Sequence, residues 1–76
     1  MAHPQEIIKT LSVRLNVRPL SREDEVRQVF RKSYVALKGV SLDFKRLDWY
    51  SAFYHAHGEL PDFVVAYYQS QLAPAA

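Results

Sequence analysis

The stretch Ile7-Ile-Lys-Thr-Leu-Ser-Val-Arg-Leu-Asn-Val17 decides the architecture of this chain, because it fits two periodicities at once. Ile7, Ile8, Leu11 and Leu15 recur at three- and four-residue steps, the apolar stripe of a helix with Pro4 in its first turn. Leu11, Val13, Leu15 and Val17 also alternate with Thr10, Ser12, Arg14, Asn16 and Arg18, the pattern of a half-buried strand. As a helix, the segment completes a four-helix bundle within one chain. As a strand, it finds no partner in an otherwise helical chain and must pair with its copy in a dimer. The periodicities leave both open. Arg18-Pro19 ends the segment either way, since a residue before proline is pushed toward extended geometry.

Downstream the pattern favours helices, although Val64-Val65-Ala66-Tyr67-Tyr68 also has the propensity of a strand. Ser21 is a good N-cap whose hydroxyl can accept the backbone N–H of Asp24, and Glu23, Asp24 and Glu25 suit the positive end of a helix. Val26, Val29, Phe30, Ser33 and Leu37 then form one stripe, and Lys38-Gly39 supplies a basic last turn and a left-handed cap. Ser41 is positioned to cap a second helix to about Ala56, with Gly58 ending it. Its apolar arc is wide: Leu42, Leu47, Trp49, Tyr50, Phe53, Tyr54 and Ala56 face Asp43, Lys45, Asp48, Ser51 and His55, with Phe44 on the polar side. Pro61 suits the first position of a third helix, followed by Phe63, Val64, Tyr67, Tyr68 and Leu72.

With 76 residues, the chain is bounded to a single small helical domain, 1–76, with 1–4 and 73–76 expected to be flexible. At this length folding hides only about 60% of the surface of the unfolded chain, so stability is marginal without a staple or a partner. Cysteine is absent, which excludes disulfides, thiolate catalysis and cysteine-based metal sites and fits a cytoplasmic setting. No apolar run approaches the roughly 20 residues of a membrane span, so no membrane partner is expected. The net charge of +2 conceals an asymmetry: all 10 Lys and Arg residues lie at or before Arg46, while eight of the ten aromatic residues fall between Phe44 and Tyr68.

Catalytic chemistry finds little support. Nucleophile, phosphate-loop and dinucleotide motifs are missing, and Gly39 and Gly58 are the only glycines. His55, His57 and Glu59 make the one cluster suggestive of a metal or acid–base site, but residues two apart on a helix point about 200° away from each other. A solvated His55 and a His57 near a helix C-terminus explain them more simply. Asp43 and Asp48 share a polar direction that solvation accounts for. No catalytic residue, metal, cofactor or small-molecule substrate is therefore expected.

Read as a strand, Lys9-Thr-Leu-Ser-Val-Arg-Leu-Asn16 resembles the opening of a ribbon-helix-helix repressor, in which paired strands enter a DNA groove. The likeness spans eight residues, and the long first helix and aromatic C-terminal helix depart from that family's pattern. What it implies is that Thr10, Ser12 and Arg14 would face bases.

The expectation is a mainly α, small three- to four-helix bundle whose residues 7–17 are a fourth helix or a strand paired in a dimer. Its leading function is that of a non-catalytic interaction or regulatory module, binding a protein partner or itself as a homodimer. Trp49, Tyr50, Phe53 and Tyr67 are the anchors, since aromatic residues exceed what three short helices need for packing. The alternative is a dimeric nucleic-acid-binding regulator placing Arg14, Arg18, Arg27, Arg31 and Lys38 on phosphates.

Overall fold

In a computed structural model, described here for residues 3–72, the chain forms four helices: α1 (Pro4–Arg14), α2 (Arg22–Lys38), α3 (Phe44–His57) and α4 (Asp62–Leu72). The expected flexibility of residues 1–4 and 73–76 falls largely on positions outside the described residues, 1–2 and 73–76, whereas Pro4 begins α1 with His3 before it. Among the described residues there is no strand, and no helix is long and apolar enough to cross a membrane.

The ambiguous segment is a helix, and burial shows why. Ile7, Ile8, Leu11 and Ser12 are buried, whereas Val13, which an alternating strand would turn inward, is 79% exposed. Three apolar side chains at helical spacing reach the core together without any unpaired edge. The helix stops at Asn16, which takes the left-handed conformation (φ 54°). The Val17 N–H donates to the Ser12 carbonyl (2.9 Å) and the Asn16 N–H to the Val13 carbonyl (3.2 Å), the paired closing bonds of a Schellman cap. Asparagine tolerates that backbone better than most residues. The strand exchanged in a dimer, and with it the likeness to a ribbon-helix-helix repressor, is thereby corrected.

Helix α2 has the ends its sequence dictates. Ser21 accepts the Asp24 N–H at 3.0 Å, and Gly39, at φ 77°, closes the helix with its N–H on the Val35 carbonyl at 2.8 Å. Val26, Val29, Phe30 and Ser33 form the buried stripe. The start of α3 differs from expectation, because Asp43 rather than Ser41 is the cap, accepting the Arg46 N–H at 2.9 Å. A carboxylate two residues later in the chain serves the helix start and releases Leu42 to precede it. Leu42 and Leu47 then stand at the spacing of a hydrophobic staple, and both are buried. Gly58 ends α3 at φ 70°, its N–H bonded to the Tyr54 carbonyl at 2.7 Å. Pro61 sits one position earlier than expected, just before α4, where its carbonyl accepts the Val64 (3.1 Å) and Val65 (3.3 Å) N–H groups.

Helix α2 is the hub. It packs against each of the other three helices, and α1 also touches α4. Phe30, fully buried on α2, meets Tyr54 of α3 edge-on at 5.9 Å and Phe63 of α4 edge-on at 6.4 Å. Phe63 further receives Tyr34 and Tyr50, each at 5.1 Å in T-shaped contact. Such edge-to-face pairs align the positive ring edge with the negative face and add to the area that they bury. Helix α3 packs on α2 and reaches α4 through Tyr50 on Phe63, while Trp49 on another side of the helix is left exposed.

Candidate functional site

The wide apolar arc of α3 cannot all face α2, and the packing selects Leu47 and Ser51 as the buried residues of the helix. Ser51 was expected on the polar side and is instead 5% exposed, its small side chain fitting within the helix interface. Trp49 takes the opposite outcome at 61% exposed, although its residue type would normally favour the core.

Around Trp49 the rings are ordered. Its indole stacks on Phe53 one turn on, with centroids 5.3 Å apart and planes 22° from parallel, and Phe53 in turn meets His57 at 4.5 Å. Spacing of four residues brings successive side chains over one another on a helix, so this ladder follows from positions 49, 53 and 57. Tyr50 supports it from the side, with its ring edge-on to Trp49 at 5.3 Å and its other contact on Phe63. Trp49 is thus exposed while Phe53 and Tyr50 are half-buried, and Tyr50 ties the group to the core.

Two shallow grooves flank Trp49. One, of about 300 Å³, is lined by Lys45, Arg46, Trp49 and Tyr50. The other, of about 240 Å³, runs from Trp49, Tyr50 and Phe53 to Glu59, Pro61, Asp62 and Phe63. The first has basic walls and the second acidic ones. Of the anchors expected from sequence, Trp49, Tyr50 and Phe53 share this surface. Tyr67 does not line either groove; it is half-buried on α4, packed against the core. Lys45 and Arg46 were absent from the expected set, though the four-residue step from Lys45 to Trp49 was a signal that could have included them.

The basic candidates are more dispersed. Arg14 ends α1, Arg18 lies in the connection to α2, and Arg31 and Lys38 are exposed on α2. Lys38 shares a groove of about 330 Å³ with Arg46 and Asp62. Arg27 is engaged by Asp48 in an ion pair between α2 and α3. The Arg18 carbonyl accepts Gln28 Nε2 at 3.3 Å, which draws the connection along the second turn of α2. From Arg27 to Lys38 the helix advances about 16 Å. Asp24 interrupts the row, and its carboxyl is held below the usual range by the Leu20 N–H and the Gln28 side chain, aided by Arg27 and Arg31.

His55 and His57 are both exposed, and among the described residues no group of three His, Cys, Asp or Glu side chains is placed to hold a metal ion. Asp43 and Asp48, the paired acids of the sequence, serve as a helix cap and as the partner of Arg27. A further groove of about 390 Å³ joins α1, α2 and α3 beside Tyr54, with Glu6, Lys9, Arg22 and Glu25 on its walls. Partial burial pushes the Tyr54 hydroxyl above its ordinary value of 10.0, opposed by Arg22. No family model, no curated protein and no solved structure matches this chain.

Proposed function

We propose that this chain is a small non-catalytic interaction module that acts through protein contacts on the outer face of α3. The observation that supports this reading is Trp49, 61% exposed yet stacked on Phe53 and braced by Tyr50. A large ring held rigid in water loses little conformational freedom when a partner covers it, which is why tryptophan and tyrosine dominate interface energetics. Tyr67, half-buried on α4 and packed against the core, lies outside the two grooves beside Trp49. Catalysis, a cofactor and a small-molecule substrate form no part of the proposal, and a cysteine-free chain suits a cytoplasmic setting.

The nucleic-acid alternative draws on Arg14, Arg18, Arg31 and Lys38. It is weakened by the commitment of Arg27 to Asp48 and by Asp24 among the cations. One experiment separates the two. A photo-crosslinking residue at Ala52, on the exposed side of α3, should capture protein in cells of the natural source, with the product lost in Trp49→Ala and retained in Arg18→Ala/Arg31→Ala. Oligonucleotide binding whose log–log salt slope falls by about one unit per removed arginine, with Trp49→Ala inert, would reverse the assignment.

A further inference from the structure

The outer face of α3 carries two adjacent rows at helical spacing. Trp49 and Phe53 make a row of stacked rings, and Ala52 and Ala56, both exposed, make a row of small side chains beside it. Charge is divided between the flanking grooves, with Lys45 and Arg46 lining one and Glu59 and Asp62 the other. Lys45 belongs to the first turn of α3 and Glu59 follows its C-terminal cap, so the opposite signs also lie at opposite ends of the helix.

We propose that this face binds a second copy of the chain, the two α3 helices running antiparallel about a two-fold axis next to Ala52. The inference rests on the reading of this face as a protein-contact surface and names its partner. A two-fold interface uses one patch twice, so the patch must complement itself. With the axis there, Trp49 of each protomer lies over Ala56 of the partner subunit and Phe53 over Ala52 of the partner subunit. Large rings then fill the shallow row between small side chains, the ridge-in-groove condition for close helix packing. The same axis sets Lys45 beside Glu59 of the partner subunit, twice by symmetry. Parallel pairing would instead oppose lysine to lysine and glutamate to glutamate. A partner of uniform charge, such as a nucleic-acid strand or an acidic peptide, satisfies one groove and is repelled by the other.

Helix α3 has 14 residues and is therefore about 21 Å long, so a single helix pair gives a small interface and a weak, micromolar-range dimer. Sedimentation equilibrium of the full chain from roughly micromolar to millimolar concentration should show mass rising toward two copies. Trp49, the only tryptophan, should shift its emission to the blue over the same range. Lys45→Glu and Glu59→Lys should each weaken association about tenfold, through like charges at both ends of the pair. Both positions are exposed, and circular dichroism should show unchanged helix. Mixing the two variants should restore association, because each then meets opposite charge in the other; the loss in each variant alone is what marks antiparallel pairing, since a parallel pair already opposes like charges in the wild type. A chain that stays monomeric at the highest concentration, or whose charge variants associate as the wild type does, overturns the proposal. If that monomeric chain still crosslinks to a different protein in a Trp49-dependent manner, self-pairing fails while the interaction module stands.

Discussion

Asp24 works in two directions at the start of α2. Its own N–H reaches Ser21 Oγ, while its carboxylate accepts the Leu20 N–H at 3.0 Å and Gln28 Nε2 at 2.8 Å. These bonds are strongest to the charged form, led by the Leu20 N–H, and they lower the carboxyl from its ordinary value of 3.8. A lowered folded value means that the unfolded state binds more protons in acid. The stabilisation is therefore complete above the ordinary value and is lost as pH falls below 3.8 through the folded value. Thermal melts of wild type and Asp24→Asn should differ most near neutrality and converge in acid; parallel pH profiles would contradict this account. Tyr54 has the opposite sign, since a raised hydroxyl favours the fold below its ordinary value of 10.0 and withdraws that support in alkali. Ser33 and Ser51 are buried with hydroxyls that find no hydrogen-bond partner among the described residues, and their small side chains suit closely packed helices.

At the scale of elements, α1 shows how tertiary contact resolves a local ambiguity. Leu11 is fully buried and Val13 is 79% exposed, although both occupy the same phase of the alternating pattern. Leu11→Ala should cost roughly 2–5 kcal/mol in urea unfolding, while Val13→Ala should stay within about 0.5 kcal/mol of wild type, since alanine also favours the helix. Equal losses at the two positions would restore the strand. The ion pair of Arg27 with Asp48 links α2 to α3, but the side chains are 37% and 65% exposed. Solvent screens such a pair, and its contribution to holding α3 in place stays below about 1 kcal/mol. Apolar contacts at Leu47 and the ring of Tyr54 on Phe30 do more to set the angle at which Trp49 is presented.

Across the whole molecule the fold depends on one helix. Every other element leans on α2, and Phe30 is the ring that α3 and α4 share through Tyr54 and Phe63. A chain of this size has on the order of 4–11 kcal/mol of stability in total, at the usual value per residue. Phe30→Ala should remove about 3–5 kcal/mol, a large part of that reserve, and lower the thermal midpoint by well over 10 °C. Trp49→Ala should leave the midpoint nearly unchanged, because a ring 61% exposed contributes little to the core of one subunit. A large loss for Trp49→Ala in dilute solution would assign the indole to the core and remove the basis for an interaction surface. The contrast separates residues that hold the fold from residues the fold presents.

What the amino-acid sequence determined by itself is whatever depends on neighbours within four or five positions. The ends of α2 at Ser21 and Gly39, the cap at Gly58 and the stripe from Val26 through Ser33 follow from side-chain capping and helical period, and the structure contains all of them, while Leu37, expected to continue the stripe, is 38% exposed. Asn16 carried the same kind of local information, as a left-handed cap that favoured the helix for residues 7–17. Only the tertiary structure decided which side of each helix the others occupy. Trp49 and Ser51 stand two apart on α3, and hydrophobicity alone would have sent the first inward and the second outward. Packing does the reverse, because a side chain's environment depends on where α2 lies, and contacts between distant parts of the chain leave no periodic trace in either one.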